Sequence, residues 1–258
     1  MTRRSARRPA AALALLLTAA LLAGPTPPAG AAEGNLASRI DLPQRVRQLV
    51  TVTNGGWSDT SATLRVWRKR GDSWRLVRGP VRTSLGWNGF VRAAKRRQST
   101  GTTPAGKFTL PSVFGTRADP GSRLPYRRVD GNDYWPYEPR DPATYNILQP
   151  HKATTSRWRS DYAERLAGHP YEYAYSIVLG FNLPKGVHWS DHRSQYVARR
   201  AADTTRGGGI FLHVKEKRRT AGCVSAPLKQ VRWLVRWLDP ALHPRIVMGP
   251  QAWVVRRF

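Results

Sequence analysis

The sequence predicts a single domain, mainly β with a few helices, and three observations carry that reading. The first half of the mature chain alternates apolar and polar residues, as in "RQLVTVT" (47–53) and "ATLRVWRKR" (62–70), the period-two pattern of strands. Glycine and proline recur from Gly79 to Pro142, which marks a loop-rich middle rather than helices. A chain of 258 residues with 40% hydrophobic content buries one substantial core and leaves little room for two full-sized domains.

The elements follow in order. The opening "MTRRSARRPAAALALLLTAALLAG" joins a basic stretch to an apolar run from about Ala10 to Ala23, with small residues at Ala29 and Ala31. That order predicts a signal peptide over 1–31, cut near Ala31 or Ala32. Its apolar run is shorter than the roughly 20 residues a membrane span needs, and none later is long enough. A secreted, extracellular protein with no membrane span is expected, with residues 32–46 as a linker and a domain over 47–258. "RGDSWRLV" (70–77) sets Gly71 and Asp72 between two alternating runs, a hairpin signal in which Trp67 and Trp74 pack beside the turn.

Further along, "TSRWRSDYAERLA" (155–167) spaces Trp158, Tyr162 and Leu166 four apart, which predicts a helix capped from Thr154 to Ser156. "YEYAYSIVLGFN" (171–182) and "GGGIFLHV" (207–214) read as buried strands. "APLKQVRWLVRWL" (226–238) is a helix with Pro227 at its first turn and an apolar stripe of Leu228, Val231, Leu234, Val235 and Leu238. "RIVMG" (245–249) and "AWVVRR" (252–257) close the chain as strand-like runs.

Charge bounds the partners. The chain carries 43 Lys+Arg against 16 Asp+Glu, a net +27. Removing a leader that holds Arg3, Arg4, Arg7 and Arg8 takes four charges off the +27 and leaves +23. Such a field attracts polyanions. For an exported protein these are anionic cell-wall polymers rather than nucleic acid. The densest runs, "VRAAKRRQ" (91–98) and "VKEKRRT" (214–220), also suit solvated faces.

Cys223 is the single cysteine, so no disulfide can form within the chain. It follows Gly222 and lies ten residues beyond His213. His213 ends a predicted strand, and Cys223 sits in the loop before the helix at Pro227. An imidazole that accepts its proton, a helix N-terminus or nearby cations can turn such a thiol into a nucleophile. A core histidine beside a small buried thiol fits the same spacing. Both readings stand on these residues alone.

Several blocks together resemble the catalytic domain of the L,D-transpeptidase (YkuD-type) family, in its secreted actinobacterial branch: "GGIFLHV" followed by "TAGCVS", "STGTTPAGKFTL" (99–110), "GDSWRLVRGPVRTSLGWNGF" (71–90), "DYWPYEPRDPATYN" (133–146), "YEYAYSIVLGFN" and "WLDPALHPRIVMG". The resemblance covers roughly residues 47–250. It implies a mostly β fold without a cofactor, and a peptidoglycan enzyme that acylates its cysteine with a stem tetrapeptide, expels the terminal D-alanine and passes the acyl group to an amine of a neighbouring stem. By motif, Cys223 is the nucleophile and His213 its base, steadied by a backbone carbonyl at Val214. Gly222 and the Cys223 amide fall at the oxyanion site. Ser225 and Thr220 fall among substrate-lining positions, and Thr103 to Gly106 is a structural turn beside the site. The chain departs from the family pattern in its short histidine-to-cysteine spacing and in Ala221, where relatives carry histidine or arginine. Ala221 cannot donate a hydrogen bond, so Arg218, Arg219 or Thr220 are the candidates to replace it. An L,D-carboxypeptidase and an inactive wall-binding protein are the alternatives.

His188 and His192 in "HWSDH" have the spacing of a zinc pair on a helix, with Asp191 between them. Pro184, Gly186 and the lack of a third ligand favour a loop instead, so no metal is expected, and His188 is placed as a substrate-lining residue. His151, His169 and His243 read as surface or loop residues. Tyr134, Trp135 and Tyr137 read as packing around prolines.

Overall fold

A computed structural model describes residues 35–150, 157–216 and 219–258. The strands are β1 Gln48–Asn54, β2 Ser61–Arg70, β3 Ser73–Ser84, β4 Phe90–Arg92, β5 Thr103–Thr109, β6 Val113–Gly115, β7 Tyr126–Arg128 and β8 Tyr134–Pro136. They continue with β9 Ala163–Arg165, β10 Ser176–Val178, β11 Lys185–Ser190, β12 Gln195–Arg200, β13 Phe211–Val214, β14 Val224–Ala226 and β15 Arg245–Pro250. Two α-helices are described, α1 Leu228–Trp237 and α2 Gln251–Arg257. Mainly β with few helices is therefore what forms.

Eleven strands make one sheet in the order β4-β5-β15-β1-β2-β3-β14-β13-β10-β6-β7. β2 and β3 pair antiparallel across Gly71, whose φ of 55° suits glycine in a tight turn, so the expected hairpin is present. Trp67 and Trp74 are buried beside it, and Trp67 Nε1 donates to Thr51 Oγ1 at 3.0 Å. β1 alternates in sequence yet is buried on both faces from Gln48 to Thr53, because Val50 and Val52 point into the main core and Leu49 into a second one on the other face; its edges pair with β2 and a parallel β15. The main core joins Val50, Val52, Leu64, Ile177, Leu212, Val224, Ile246 and Met248 of the sheet to Val231, Leu234 and Val235 of α1. That helix follows the expected stripe, with Pro227 capping its N-terminus.

Four expectations are corrected. Residues 35–46 are not a linker: Leu36, Ala37, Ile40 and Val46 pack with Leu49, Trp67, Trp74 and Val254 in a second core, and Asn35 Nδ2 donates to Trp74 O at 2.7 Å. The described part of 155–167 is not an α-helix. It is a 3-10 turn at Ser160–Tyr162, then β9, then a 3-10 turn at Leu166–Gly168, because β9 pairs with β8. Thr154 to Ser156 and His151 lie outside the described residues. "AWVVRR" is α2 rather than a strand: Pro250 caps it, and only Val254 is fully buried. The "HWSDH" region is a strand and turn, since β11 pairs with β12 in a separate hairpin.

Candidate active site

The sheet places the two chemically interesting side chains together. β13 and β14 run parallel with Leu212 opposite Val224 and His213 opposite Ser225. Extending that register by one residue sets Cys223 beside Phe211. Residues two apart on a strand share a face, so Cys223 and His213 are diagonal neighbours on the same side of the sheet. Both line one cavity of about 660 Å³.

Cys223 is not on an exposed loop. It closes the floor of this cavity with 9% exposure, immediately before β14. Its Sγ donates to Gly209 O at 3.3 Å and accepts from the Phe211 N–H at 3.3 Å. The acceptor carbonyl is fixed in turn: Asn146 Oδ1 accepts from Gly209 N and from Trp135 Nε1, both at 2.8 Å, and Asn146 Nδ2 donates to Asn182 O at 2.7 Å. Thus the "DYWPYEPRDPATYN" block holds the glycine loop that holds the thiol. Burial pushes the thiol up to about 12, with the Phe211 N–H opposing, Glu164 adding to the rise and Arg96 opposing it.

His213 is buried at 5% exposure. Its Nδ1 lies 2.8 Å from Val214 O. A carbonyl only accepts, so Nδ1 carries the proton and Nε2 keeps its lone pair. The Val214 carbonyl thus holds the ring through its backbone. Burial holds His213 down to about 4, the Val214 carbonyl working against that and His169 adding to it. At neutral pH both groups are uncharged. Among the described residues no hydrogen bond joins Sγ to the imidazole, so the thiol must turn from Gly209 O before it can give up its proton.

Folding stability should record the buried neutral imidazole. Unfolding returns His213 to its ordinary value near 6.5 from about 4, so the unfolded chain binds the extra proton. Stability from this group is intact above about pH 6.5 and falls as pH drops toward 4, by up to about 3 kcal/mol. Urea unfolding at pH 7 and pH 4.5 should show that fall, and His213→Gln should reduce it.

The turn before Cys223 requires its glycine. Gly222 has φ 140°, and a Cβ there would sit 2.9 Å from both Arg96 Nη2 and Thr102 O. Gly222→Ala should therefore destabilise the protein by about 1–3 kcal/mol, read as a lower thermal midpoint. Thr220 lines the cavity, and its Oγ1 donates to Cys223 O at 2.7 Å and accepts from Gly222 N at 3.1 Å. The Gly222 N–H is thereby used inside the turn, which corrects its expected place as an oxyanion donor. Ala221 and Arg219 line the cavity; Arg218 lies outside the described residues.

Other expectations divide. Ser225 is buried between His213 and Ser84 and is not among the cavity's lining residues, so it does not meet a substrate there. His188 is exposed on β11, its Nδ1 3.1 Å from Gly186 O, and does not line the cavity either. Thr103 to Gly106 is part of strand β5 rather than a turn, and it is structural: Thr103 Oγ1 accepts from Gly86 N at 2.8 Å. Trp135 is buried packing, whereas Tyr137 lines the cavity.

The residues that sequence reasoning missed are Arg96, Glu164, His169, Glu172 and Tyr173. Tyr173 Oη donates to Glu164 Oε1 at 2.6 Å, its ring lies edge-on to His213 at 5.5 Å, and His169 sits 3.3 Å from Glu172 Oε2. His169 was read as a surface residue; it lines the cavity beside them. Burial raises Glu164 above the usual carboxylate range, with Tyr173 opposing. The segment that carries Glu164 resembled a helix in its spacing, which hid it. Trp87 is 46% exposed at the same cavity.

Residues 56–248 match the family model described as YkuD: L,D-transpeptidase catalytic domain. No curated protein and no solved structure matches the chain.

Proposed function

The chain belongs to the L,D-transpeptidase catalytic domain family, and on that premise we propose that it is a secreted peptidoglycan L,D-transpeptidase working through a cysteine acyl-enzyme. The observation that carries this reading is the shared cavity of Cys223 and His213, with the imidazole oriented by Val214 O. A spacing that was ambiguous in sequence brings a thiol and an imidazole to one cavity, which supports reading them as nucleophile and base.

In this mechanism Nε2 of His213 takes the Cys223 proton as Sγ attacks the carbonyl carbon of the stem's third residue. The C–N bond to the terminal D-alanine then breaks, and His213 returns the proton to the leaving amine. The product is a thioester on Cys223. An acceptor amine attacks that thioester, gives a proton to His213, and the S–C bond breaks with Cys223 reprotonated. The Cys223 amide is the backbone donor for the tetrahedral oxygen anion.

The cavity suits such a substrate because it presents both signs of charge, Arg96 and Arg219 as well as Asp161, Glu164 and Glu172. A stem peptide carries carboxylates and an amine. Trp87 offers an exposed aromatic face beside the cavity. Among the described residues no helix is long and apolar enough to cross a membrane, and export rests on the leader sequence.

Turnover with a disaccharide-tetrapeptide tests the reading. Release of D-alanine with formation of a cross-linked dimer supports transfer, whereas D-alanine with tripeptide alone supports the hydrolytic carboxypeptidase. Absence of both products leaves the inactive wall-binding alternative. The +23 that remains once the leader with its four arginines is removed from the +27 chain also predicts that binding to isolated cell walls weakens steeply with salt, since exposed charges are screened over about 10 Å at 0.1 M. Turnover of a small soluble peptide should change much less. Sedimentation with walls across a salt series checks this, and indifference to salt would remove the anionic polymer as partner.

A further inference from the structure

Arg96 follows the 3-10 turn Ala93–Lys95 and is 4% exposed. Its Nε donates to Thr102 O at 2.9 Å and its Nη1 to Arg206 O at 2.6 Å. Both acceptors are neutral carbonyls. Among the described residues no carboxylate pairs with it, and no hydrogen bond engages Nη2. A buried guanidinium without a counter-ion is costly, and more so in a chain of net +27.

Nη2 is the end that faces the nucleophile's turn. It lies against Gly222, 2.9 Å from where a Cβ would be, and Arg96 lines the cavity with Cys223. The guanidinium carbon also lies 5.6 Å from the Phe181 ring centre, with Arg206 at 5.3 Å from the same ring. Ala221, which has no donor to offer, immediately precedes Gly222 and lines the same cavity.

We infer that Arg96 is the buried positive charge that serves Cys223, stabilising the anion that forms on its Sγ and at the attacked carbonyl oxygen, in place of the donor that Ala221 lacks. This rests on the acyl-transfer reading. The charged groups bearing on Cys223 are Arg96, Glu164 and Glu172: the carboxylates disfavour the thiolate and Arg96 favours it. Burial lowers Arg96, and Cys223 is the first of the neighbours that raise it again. Arg96 and the nucleophile thus support each other's charged forms. Three donor nitrogens in a planar fork let one side chain brace Thr102 and Arg206 while keeping Nη2 for the substrate side.

The test reads the thiol directly. Alkylation of the native full chain by iodoacetamide, followed by mass spectrometry across pH, reports the thiolate. Arg96→Gln should shift that profile to higher pH and slow peptide acylation by about 10² to 10³, the range for loss of one oxyanion donor. Arg96→Lys should restore part of both. A folded Arg96→Gln protein with the wild-type profile overturns the inference, because a purely structural arginine would leave the thiol unchanged. Should Arg96→Gln not fold, the wild-type protein decides. Anionic iodoacetate should then be favoured over iodoacetamide severalfold more than with a small free thiol, and should remain so in about 0.5 M salt, which screens surface charge. An equal or lower preference overturns the inference. The alkylation readouts in both arms need no peptide substrate, so a wild type that shows the Arg96 effect on alkylation but never acylates would refute the proposed function alone.

Discussion

Cys223→Ala is expected to abolish acyl-enzyme formation and to lower turnover by on the order of 10⁴ to 10⁶, the loss seen when a nucleophile of this kind is removed. Cys223→Ser should fall nearly as far, since a hydroxyl beside a buried imidazole lacks the nucleophilicity of sulfur. Both variants should fold. The thiol's two hydrogen bonds, to Gly209 O and from Phe211 N, both at 3.3 Å, are weak because sulfur is a poor donor and acceptor, and alanine fits the same space. Circular dichroism and a progress curve on tetrapeptide check the pair of claims together. A folded variant with unchanged turnover would end the cysteine mechanism.

The second large effect concerns His213 and the shape of the pH profile. His213→Ala should slow acylation by about 10² to 10⁴, the contribution of a positioned general base. In the wild type, His213 is held down to about 4 and Cys223 is pushed up to about 12, so both are neutral between those limits. The reactive form is then neutral thiol with neutral imidazole. Acylation should be flat through neutral pH and fail on the acid side as His213 gains a proton near 4. A resting thiolate-imidazolium pair would instead give a bell whose alkaline limb marks loss of the imidazolium proton. The charged neighbours that bear on this pair are His169, Glu164, Glu172 and Arg96, so His169→Gln is a useful control for the acid limb. A profile that declines above pH 7 with a histidine-like midpoint would contradict the neutral pair.

Much of this was legible in sequence where local chemistry and tertiary role agree. The hairpin at Gly71 needs a positive φ, and glycine supplies it. The stripe from Leu228 to Leu238 has one face to bury and buries it. The histidine at the end of "FLHV" and the cysteine after Gly222 do converge, because parallel β13 and β14 bring them to one face. The segment 155–167 misled because Trp158, Tyr162 and Leu166 share a helical period by coincidence. Their actual partners are distant: Trp158 Nε1 donates to Thr144 Oγ1 at 3.0 Å, and Tyr162 O accepts from Tyr137 N at 2.8 Å. Adjacent β-branched residues in "AWVVRR" resemble a strand, yet β15 immediately before them is already flanked by β5 and β1, and after Pro250 the backbone coils into α2. Arg96 was invisible for another reason. One arginine in a basic run looks like its neighbours until the fold buries it, and only its position against Gly222 sets it apart.

The central claim is a covalent bond between Cys223 and a stem peptide. Intact-protein and peptide mass spectrometry after brief incubation with a disaccharide-tetrapeptide should find the chain heavier by the substrate less D-alanine, with the added mass on the peptide containing Cys223 and absent from Cys223→Ala. Release of D-alanine by a protein whose Cys223 never carries that mass, or an adduct that persists in Cys223→Ala, would contradict it.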